Sequence, residues 1–335
     1  MKKSLTLSTD IFNSYRQDIL NTRSNLFTSI GNNSEKIKDA CKDILLSKQN
    51  ENETPLWGEL YPWFIVDLIG VNRNVIKDVS KGWLAIYLHT IFIDKHLDKK
   101  IEIKPVELLA SSILAKEGLL NLQKIVLGSK YEKIFEDSLN SSADYELADV
   151  LNKLDFDSLG RKEEIAIGKN RILLACAGAL AAVNKTYGDY IIRLTSSLLL
   201  SLQFLDDIKD IEEDYKEKNF TYILSYAFKD SSSIDSSMSK EKIIEKLFLS
   251  GALENTVLKV VNCLTCTFDI LGELKTKFVK ESSAYVFLDS LYSELSSLHH
   301  FLSKNKILYI NSPLEYRSVI LDEIETRIIR CDMPS

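Results

Sequence analysis

Apolar side chains recur every three or four residues along most of the chain, which is the period of an amphipathic helix. Pro55 and Pro62 predict a break in the chain around Trp57. The serine-rich segment 231–239 is predicted to be a mobile surface loop. With almost no strand pattern, the chain is predicted to be an all-α protein with a single domain over residues 1–335. Helices are predicted over residues 10–30, 34–46, 75–99, 105–127, 131–154, 163–184, 188–218, 240–277, 282–304 and 314–330.

Composition agrees with this pattern. The 335 residues include only 12 glycines and 5 prolines, well below the roughly 12% that the two residues make up on average. Sheets and tight turns use both residues, so their scarcity argues against an all-β fold, a collagen-like chain or a low-complexity disordered chain. The absence of GxGxxG and GxxxxGK[ST] sequences also argues against a glycine-loop nucleotide enzyme.

Charge and hydropathy exclude further classes of protein. The net charge of −6 gives no basic footprint for a nucleic-acid partner. The basic N-terminus lacks the apolar segment of a signal peptide, and the longest apolar stretch, residues 172–183, is too short to span a bilayer. We therefore expect no integral membrane segment. Five cysteines without an export signal predict reduced thiols and a cytoplasmic location.

The strongest chemical signal is an acidic segment, SLQFLDDIKDIEED, at residues 201–214. On a helical wheel Asp206, Asp207, Asp210 and Asp214 fall within a sector of about 100°, which also holds Gln203. The segment could simply be a solvated charged face with no function. Against this, like charges four residues apart destabilise a helix by about 0.2–0.5 kcal/mol per pair. The opposite sectors are apolar, so the carboxylates need compensating cations. Hard oxygen ligands of this kind predict Mg²⁺ shared with phosphate.

A second acidic pair repeats this design. Asp94 and Asp98 lie four residues apart on the predicted helix 75–99, and Tyr87 and Trp83 precede them on the same face. In isolation the pair could arise by chance, with neighbouring lysines neutralising it. Each of the two helices carries an apolar stripe that ends in aspartates. Together they predict a cavity in which bridging Mg²⁺ holds a diphosphate between the aspartates, while the hydrocarbon tail lies against the apolar stripes.

At the first of these segments the sequence resembles a known superfamily. The residues from Gln203 to Asp210 are similar to the QxxDDxxD motif of polyprenyl diphosphate synthases. Asp206, Asp210 and Asp214 have the ligand spacing of the NSE/DTE motif of class I terpene synthases. The stretch from Asp210 to Asp214 also resembles the DxxED motif of squalene and phytoene synthases. All three belong to the class I isoprenoid synthase superfamily, and the resemblance covers about residues 30–330.

The second segment agrees in order and separation. Asp94 and Asp98 take the first and last positions of the superfamily's DDxxD motif, whereas Lys95 replaces its second aspartate. The resemblance implies an all-α helical bundle around a central cavity, a prenyl diphosphate substrate and three Mg²⁺ ions. It also suggests a homodimer. The catalytic, metal-binding carboxylates that it implies are Asp94, Asp98, Asp206, Asp210 and Asp214, with Asp207 as a further metal ligand.

The resemblance also implies basic residues that bind the diphosphate. Lys169 and Arg171 resemble the Lys-Thr pair that opens the corresponding helix in prenyl synthases. Arg161 precedes Asp206 by 45 residues, which is similar to the diphosphate-sensing arginine of bacterial terpene cyclases. Arg317 is expected to be a lid contact near the C-terminus. Each of these residues could equally be an ordinary surface cation.

The reaction type is predicted from the segment 54–74. Chain-elongating synthases carry a Gly-Lys-Arg sequence for a second diphosphate, but this segment has only Arg73 and many aromatic residues. Aromatic faces stabilise carbocations by about 1–2 kcal/mol each. The aromatic pocket therefore predicts a Mg²⁺-dependent terpene cyclase, a lyase acting on farnesyl or geranylgeranyl diphosphate. We expect its substrate pocket to be lined by Trp83 and Tyr87, and also by Gln203 from the acidic segment.

Two alternatives stay open at this stage. One is a condensing prenyltransferase, either a prenyl diphosphate synthase or an enzyme like squalene or phytoene synthase, which the QxxDDxxD and DxxED patterns favour. The other is a non-catalytic helical scaffold whose acidic faces bind a protein or Ca²⁺. Only the enzymes are expected to gain thermal stability from diphosphate analogues together with Mg²⁺.

Overall fold

A computed structural model describes residues 7–31, 34–46, 56–99, 103–151, 158–228, 237–274 and 281–331. These residues form fifteen α-helices, one short 3-10 helix (Arg73–Ile76) and no strand, which confirms the predicted all-α fold. The helices are α1 (Leu7–Gly31), α2 (Glu35–Leu46), α3 (Trp57–Leu68), α4 (Lys77–Lys99), α5 (Pro105–Val126), α6 (Glu132–Leu151), α7 (Leu159–Lys169), α8 (Ile172–Val183), α9 (Gly188–Lys209), α10 (Ile211–Glu217), α11 (Tyr222–Ala227), α12 (Lys240–Ser250), α13 (Ala252–Glu273), α14 (Ser283–Asn311) and α15 (Leu314–Arg330).

Three long helices predicted from the pattern are each divided in two. The segment 163–184 becomes α7 and α8, which meet at an angle of 43°. The segment 240–277 divides at Gly251, whose φ of +82° favours glycine and ends α12. The segment 188–218 divides at Asp210, where the backbone leaves helical geometry. The apolar period continues through each break, so the pattern alone did not reveal them.

Pro62 lies inside α3, so the prediction of a break at this residue is wrong. A proline in a helix leaves the carbonyl four residues earlier without its N–H donor. Here that carbonyl belongs to Gly58, and the indole Nε1 of Trp83 on α4 donates to it at 2.6 Å. A tertiary contact therefore replaces the missing helical hydrogen bond. Pro55 lies outside the described residues, as does most of the serine-rich segment, residues 231–236.

No single described helix is both long and apolar enough to cross a bilayer. Only two bent pairs, α7 with α8 and α12 with α13, reach the required length and composition when taken together.

The centre of the bundle positions the acidic helix. The alanine-rich α8 is almost entirely buried, and its small side chains let α6 and α9 pack closely on either side of it. The Tyr61 and Thr195 hydroxyls lie 2.6 Å apart and join α3 to α9 inside the core. Phe204 and Tyr215 are fully buried and anchor α9 and α10 on the side away from the carboxylates. This packing holds the acidic end of α9 at a fixed place in the bundle.

Candidate metal and diphosphate site

A polar cavity of about 350 Å³ lies between α4, α6, α7 and the segment formed by α9, α10 and α11. Its walls bring together seven of the residues predicted from the sequence. These are Asp94, Lys169, Gln203, Asp206, Asp207, Asp210 and Asp214. The cavity therefore places Asp94 of α4 opposite the carboxylates of α9 and α10. Asp98 lies in the last turn of α4, but its side chain is outside the described residues.

The carboxylates share one wall in spite of the break at Asp210. The Asp210 N–H donates to the Asp206 carbonyl at 2.9 Å, and the Asp214 N–H donates to the Asp210 carbonyl at 2.9 Å. These bonds have the spacing of an α-helix, so the three side chains stay in register across the bend. Beyond α10, Lys218 adopts a left-handed conformation with φ of +59°. The chain turns back there, and the Asn219 amide donates to Asp214 at 2.9 Å.

A chain of side-chain amides orients Asp207. The Asn170 Nδ2 donates to Gln203 Oε1 at 3.2 Å, and the Gln203 Nε2 donates to Asp207 Oδ1 at 2.8 Å. Asp207 is only 3% exposed. Burial raises the pKa of this carboxyl well above its ordinary value, and the nearby Asp214 and Asp206 raise it further, although the bond from Gln203 lowers it. Gln203 therefore fixes the position of a carboxylate instead of reaching only toward substrate.

Burial has the largest effect on the pKa values of Asp207 and Asp214 in the carboxylate wall. Burial raises the pKa of Asp214 to about 7, with further contributions from Asp210 and Asp206, although Asn219 and Lys169 lower it. Strongly raised pKa values of acids grouped on a cavity wall mark a candidate functional site.

In the metal-free protein, the Asp214→Asn variant is expected to be less sensitive to pH than the wild type. The folded protein holds a proton on Asp214 up to about pH 7, whereas an unfolded aspartate releases it near about pH 4. The stabilising contribution of this proton is complete below about pH 4 and is lost as the pH rises toward about 7. Urea unfolding of both proteins with a chelator across this range provides the measurement, and parallel stability curves would contradict the prediction.

Of the basic residues predicted from the sequence, Lys169 lies at the cavity. Its Nζ lies 2.8 Å from Asp149 Oδ2 and 4.0 Å from Glu146 Oε2, both on α6. Burial lowers the pKa of Lys169, but Asp149, Glu146 and Asp94 raise it above its ordinary value overall. The ammonium therefore stays charged and faces Asp94 across the cavity.

The three predicted arginines do not line this cavity. Arg161 pairs with Glu164 at 2.8 Å, and both Arg161 and Arg171 lie over the ring of Tyr145. Arg317 donates to the carbonyls of Tyr309 and Ile310 at 3.0 and 2.8 Å, so it caps the C-terminal end of α14. Of these predicted basic residues, Lys169 lines the cavity, whereas Arg161 and Arg171 do not.

The two predicted aromatic residues have different positions. Trp83 is 1% exposed and is occupied by its bond to Gly58, so it belongs to the core. Tyr87 stacks on Trp83 with ring centroids 6.0 Å apart. Burial raises the pKa of Tyr87, and Glu59, Asp206 and Asp94 raise it further, which places its hydroxyl in the field of both acidic helices. A Cβ atom on Gly58 would lie 2.3 Å from the Tyr87 ring, so only glycine permits this approach.

The donor set fits magnesium that is completed by substrate. Within the described residues, no three His, Cys, Asp or Glu side chains converge on one point that could hold an ion. Mg²⁺ usually takes one or two carboxylates and fills its remaining positions with water and substrate phosphate. Asp206, Asp210 and Asp214, spread along one wall, match this open kind of site.

Charged residues that the sequence patterns did not assign to the site also line the cavity. They are Asp149, Lys162 and Glu217, together with Lys95, which departs from the DDxxD motif, and Glu213, which belongs to the DxxED pattern but had no predicted role. Lys162 and Asp149 carry no local signal, because their approach to the cavity depends on how α6 and α7 pack.

Comparisons with known proteins define the fold. No family model matches the sequence, and no curated protein is similar to it in sequence. The structure is similar to a polyprenyl synthase from Caulobacter crescentus CB15 complexed with calcium and isoprenyl diphosphate, with a TM-score of 0.65 and 15% identity over 83% of this chain and 95% of that one. It is also similar to a geranylgeranyl pyrophosphate synthase from Lactobacillus brevis (TM-score 0.65, 11% identity, 83% and 96% coverage). A third neighbour is the octaprenyl pyrophosphate synthase from Helicobacter pylori (TM-score 0.64, 14% identity, 82% and 99% coverage).

The chain therefore has the all-α fold of class I isoprenoid synthases. The prediction of a terpene cyclase of the lyase class is contradicted, because the structural neighbours are prenyltransferases. The physical basis of that prediction also fails. Most of the aromatic segment that favoured cyclisation forms the buried helix α3, and Trp83 packs in the core beside it.

Proposed function

We propose that this chain is a Mg²⁺-dependent prenyltransferase of the prenyl diphosphate synthase type, with an allylic prenyl diphosphate as substrate. The observation that carries the proposal is the single cavity in which Asp94 faces Asp206, Asp210 and Asp214, with Lys169 beside them. The neighbour from Caulobacter, which shares the fold, is complexed with a divalent cation and isoprenyl diphosphate.

The residues have distinct roles in this proposal. Asp206, Asp210 and Asp214 would be the principal Mg²⁺ ligands, on one side of the diphosphate, and Asp94 would be a further ligand on the other. The resemblance adds Asp98 and Asp207 as ligands and three ions in total. Bound Mg²⁺ neutralises the diphosphate and so makes it a better leaving group.

Lys169 acts directly on the leaving group in this scheme. Its ammonium donates to a diphosphate oxygen, and this bond strengthens as negative charge develops there. Asp149, 2.8 Å from the Lys169 Nζ, keeps the lysine charged and directed along the cavity wall. In this proposal the hydrocarbon part of the substrate extends from the polar cavity toward Tyr87 of α4, whose hydroxyl lies in the field of Asp206 and Asp94.

The test is a transfer assay with labelled isopentenyl diphosphate and unlabelled geranyl, farnesyl or geranylgeranyl diphosphate. We expect a Mg²⁺-dependent product that is longer by five-carbon units and still carries diphosphate. Release of hydrocarbon from an allylic diphosphate alone, or no transfer with any of the three substrates, would overturn the proposal.

One observation favours a second condensing reaction. Asp210, Glu213 and Asp214, which form the DxxED pattern, all line the cavity. Head-to-head condensation of two allylic diphosphates, as in squalene and phytoene synthases, would give labelled product from farnesyl or geranylgeranyl diphosphate without isopentenyl diphosphate. Including NADPH in one reaction distinguishes the reductive form.

We also propose that the protein is a homodimer that associates through α5. This helix exposes a stripe of large apolar residues with helical spacing, comprising Val106, Leu109, Ile113 and Leu120, and Leu127 follows directly after it. An exposed apolar face of this kind is typical of a protein interface.

We propose in addition that the protein is located in the cytoplasm. All five cysteines are free thiols, which supports this location.

Aspartate in place of both Leu109 and Leu120 is expected to convert a dimer to a monomer. These side chains are 58% and 45% exposed, so the substitutions leave the core unchanged but place charge in the proposed interface. Sedimentation velocity at micromolar concentration measures the change, with Leu308→Asp on α14 as a control for an exposed leucine elsewhere. A monomeric wild type would refute the dimer.

A further inference from the structure

Lysine side chains line the cavity on the walls that face the acidic segment. Lys162 and Lys169 lie on α7, seven residues apart, and Lys95 directly follows Asp94 on α4. Lys162 is only 5% exposed although its side chain reaches the cavity. Lysine ammonium groups donate charge-assisted hydrogen bonds to phosphate oxygens. These walls therefore offer donors to a ligand that brings negative charge.

The two sides of the cavity differ sharply in charge. Six carboxylates line the wall formed by α9 and α10, whereas three ammonium groups and two carboxylates, Asp94 and Asp149, line the walls from α4, α6 and α7. Lys169 already lies beside Asp149 and in the field of Asp94. Divalent cations are therefore attracted to the α9–α10 wall, and the opposite walls favour the phosphate oxygens themselves.

Lys95 is the decisive position in this asymmetry. An ammonium next to Asp94 repels a divalent cation that approaches this aspartate, because like charges lie close together at the edge of a cavity. The same ammonium is a compact donor that can form charge-assisted hydrogen bonds to phosphate oxygens. An aspartate at this position would have the opposite preference.

We propose that Lys95 and Lys162, together with Lys169, contact the diphosphate directly and supply on the α4 side positive charge that a metal ion would otherwise provide. This inference rests on the proposed function, since it concerns how the same substrate is held. It has two consequences. The protein binds diphosphate measurably without any divalent cation, and metal ions bind mainly along the α9–α10 wall.

The first experiment measures binding of inorganic diphosphate by calorimetry in the presence of a chelator. The Lys95→Gln variant is expected to bind about tenfold more weakly than the wild type, because it loses one charged hydrogen bond. Lys95→Arg keeps the charge and is expected to restore most of the affinity. The matched control is Lys133→Gln on α6, which changes an exposed lysine paired with Asp137 outside the cavity. Equal affinity of the wild type and Lys95→Gln would overturn the inference.

The second experiment counts metal ions. Paramagnetic resonance titration of Mn²⁺ in the presence of inorganic diphosphate is expected to show a higher stoichiometry for Lys95→Asp than for the wild type. This variant supplies a carboxylate where the wild type supplies an ammonium, so it creates a ligand on the α4 side. An unchanged stoichiometry together with unchanged metal-free binding would show that Lys95 does not contact the ligand.

These measurements are separate from prenyl transfer. If Lys95 affects diphosphate binding as expected but no prenyl group is transferred to any acceptor, the proposed function fails and the lysine contacts stand. If prenyl transfer occurs but Lys95→Gln binds diphosphate as the wild type does, only the role of Lys95 fails.

Discussion

Replacement of Asp206 by asparagine is expected to reduce prenyl transfer by about a thousandfold or more and to leave the protein folded. The carboxylate lies on the cavity wall and is exposed, so its loss does not disturb the core. A metal ion that polarises a phosphoryl oxygen contributes several kcal/mol to the transition state. Loss of about 4 kcal/mol corresponds to this factor, since each 1.36 kcal/mol is about tenfold in rate.

The control for this variant is Glu212→Gln, which removes another carboxylate from the same acidic segment. Glu212 pairs with Lys216 at 2.5 Å and does not line the cavity, so its activity is expected to stay within about twofold of the wild type. Initial rates of labelled transfer and urea unfolding of both variants give the comparison. Wild-type turnover in Asp206→Asn would show that the carboxylate wall is not the catalytic site.

Trp83→Ala is expected to lower the free energy of unfolding by about 3–5 kcal/mol through loss of packing alone. The ring is buried against Tyr61 and Tyr87, so alanine leaves a large cavity at the α3–α4 contact. The substitution also removes the indole donor to the Gly58 carbonyl, whose helical N–H partner is missing at Pro62, which adds about 1–3 kcal/mol. Equilibrium urea denaturation measures the sum.

Trp83→Phe separates the hydrogen bond from the packing. It keeps an aromatic ring but removes the Nε1 donor, so the expected loss beyond packing is about 1–3 kcal/mol. Trp63→Phe is the matched control, because Trp63 is equally buried and its Nε1 has no hydrogen-bond partner among the described residues. Equal destabilisation of the two phenylalanine variants would show that the bond to Gly58 contributes nothing.

Local spacing was sufficient to predict several features of this protein. The helical period gave the all-α class, because apolar residues must face the core at intervals of three or four. It also predicted that Asp206, Asp210 and Asp214 share a face. That held even though the helix bends at Asp210, because the i to i+4 hydrogen bonds continue through the bend. The facing of Asp94 and the acidic wall followed from two stripes with the same design.

The predictions of a break at Pro62 and of a cyclase were wrong because both depend on contacts between residues that are distant in the chain. The helix through Pro62 depends on the Trp83 indole, which lies 21 positions later in the chain, and no local pattern reveals such a donor. The aromatic residues that favoured a cyclase are apolar in either role, so their composition did not distinguish core from cavity.

The choice among basic residues shows the same division. The sequence pattern does not distinguish among three basic residues near predicted helix starts, Lys169, Arg161 and Arg171. Of these three, only Lys169 reaches the cavity, where it pairs with Asp149 of α6. The sequence determined which carboxylates share a wall, because i to i+4 neighbours are joined by the helix itself. The tertiary structure decided which lysines face them and which tryptophan is core, because those contacts depend on how separate helices pack.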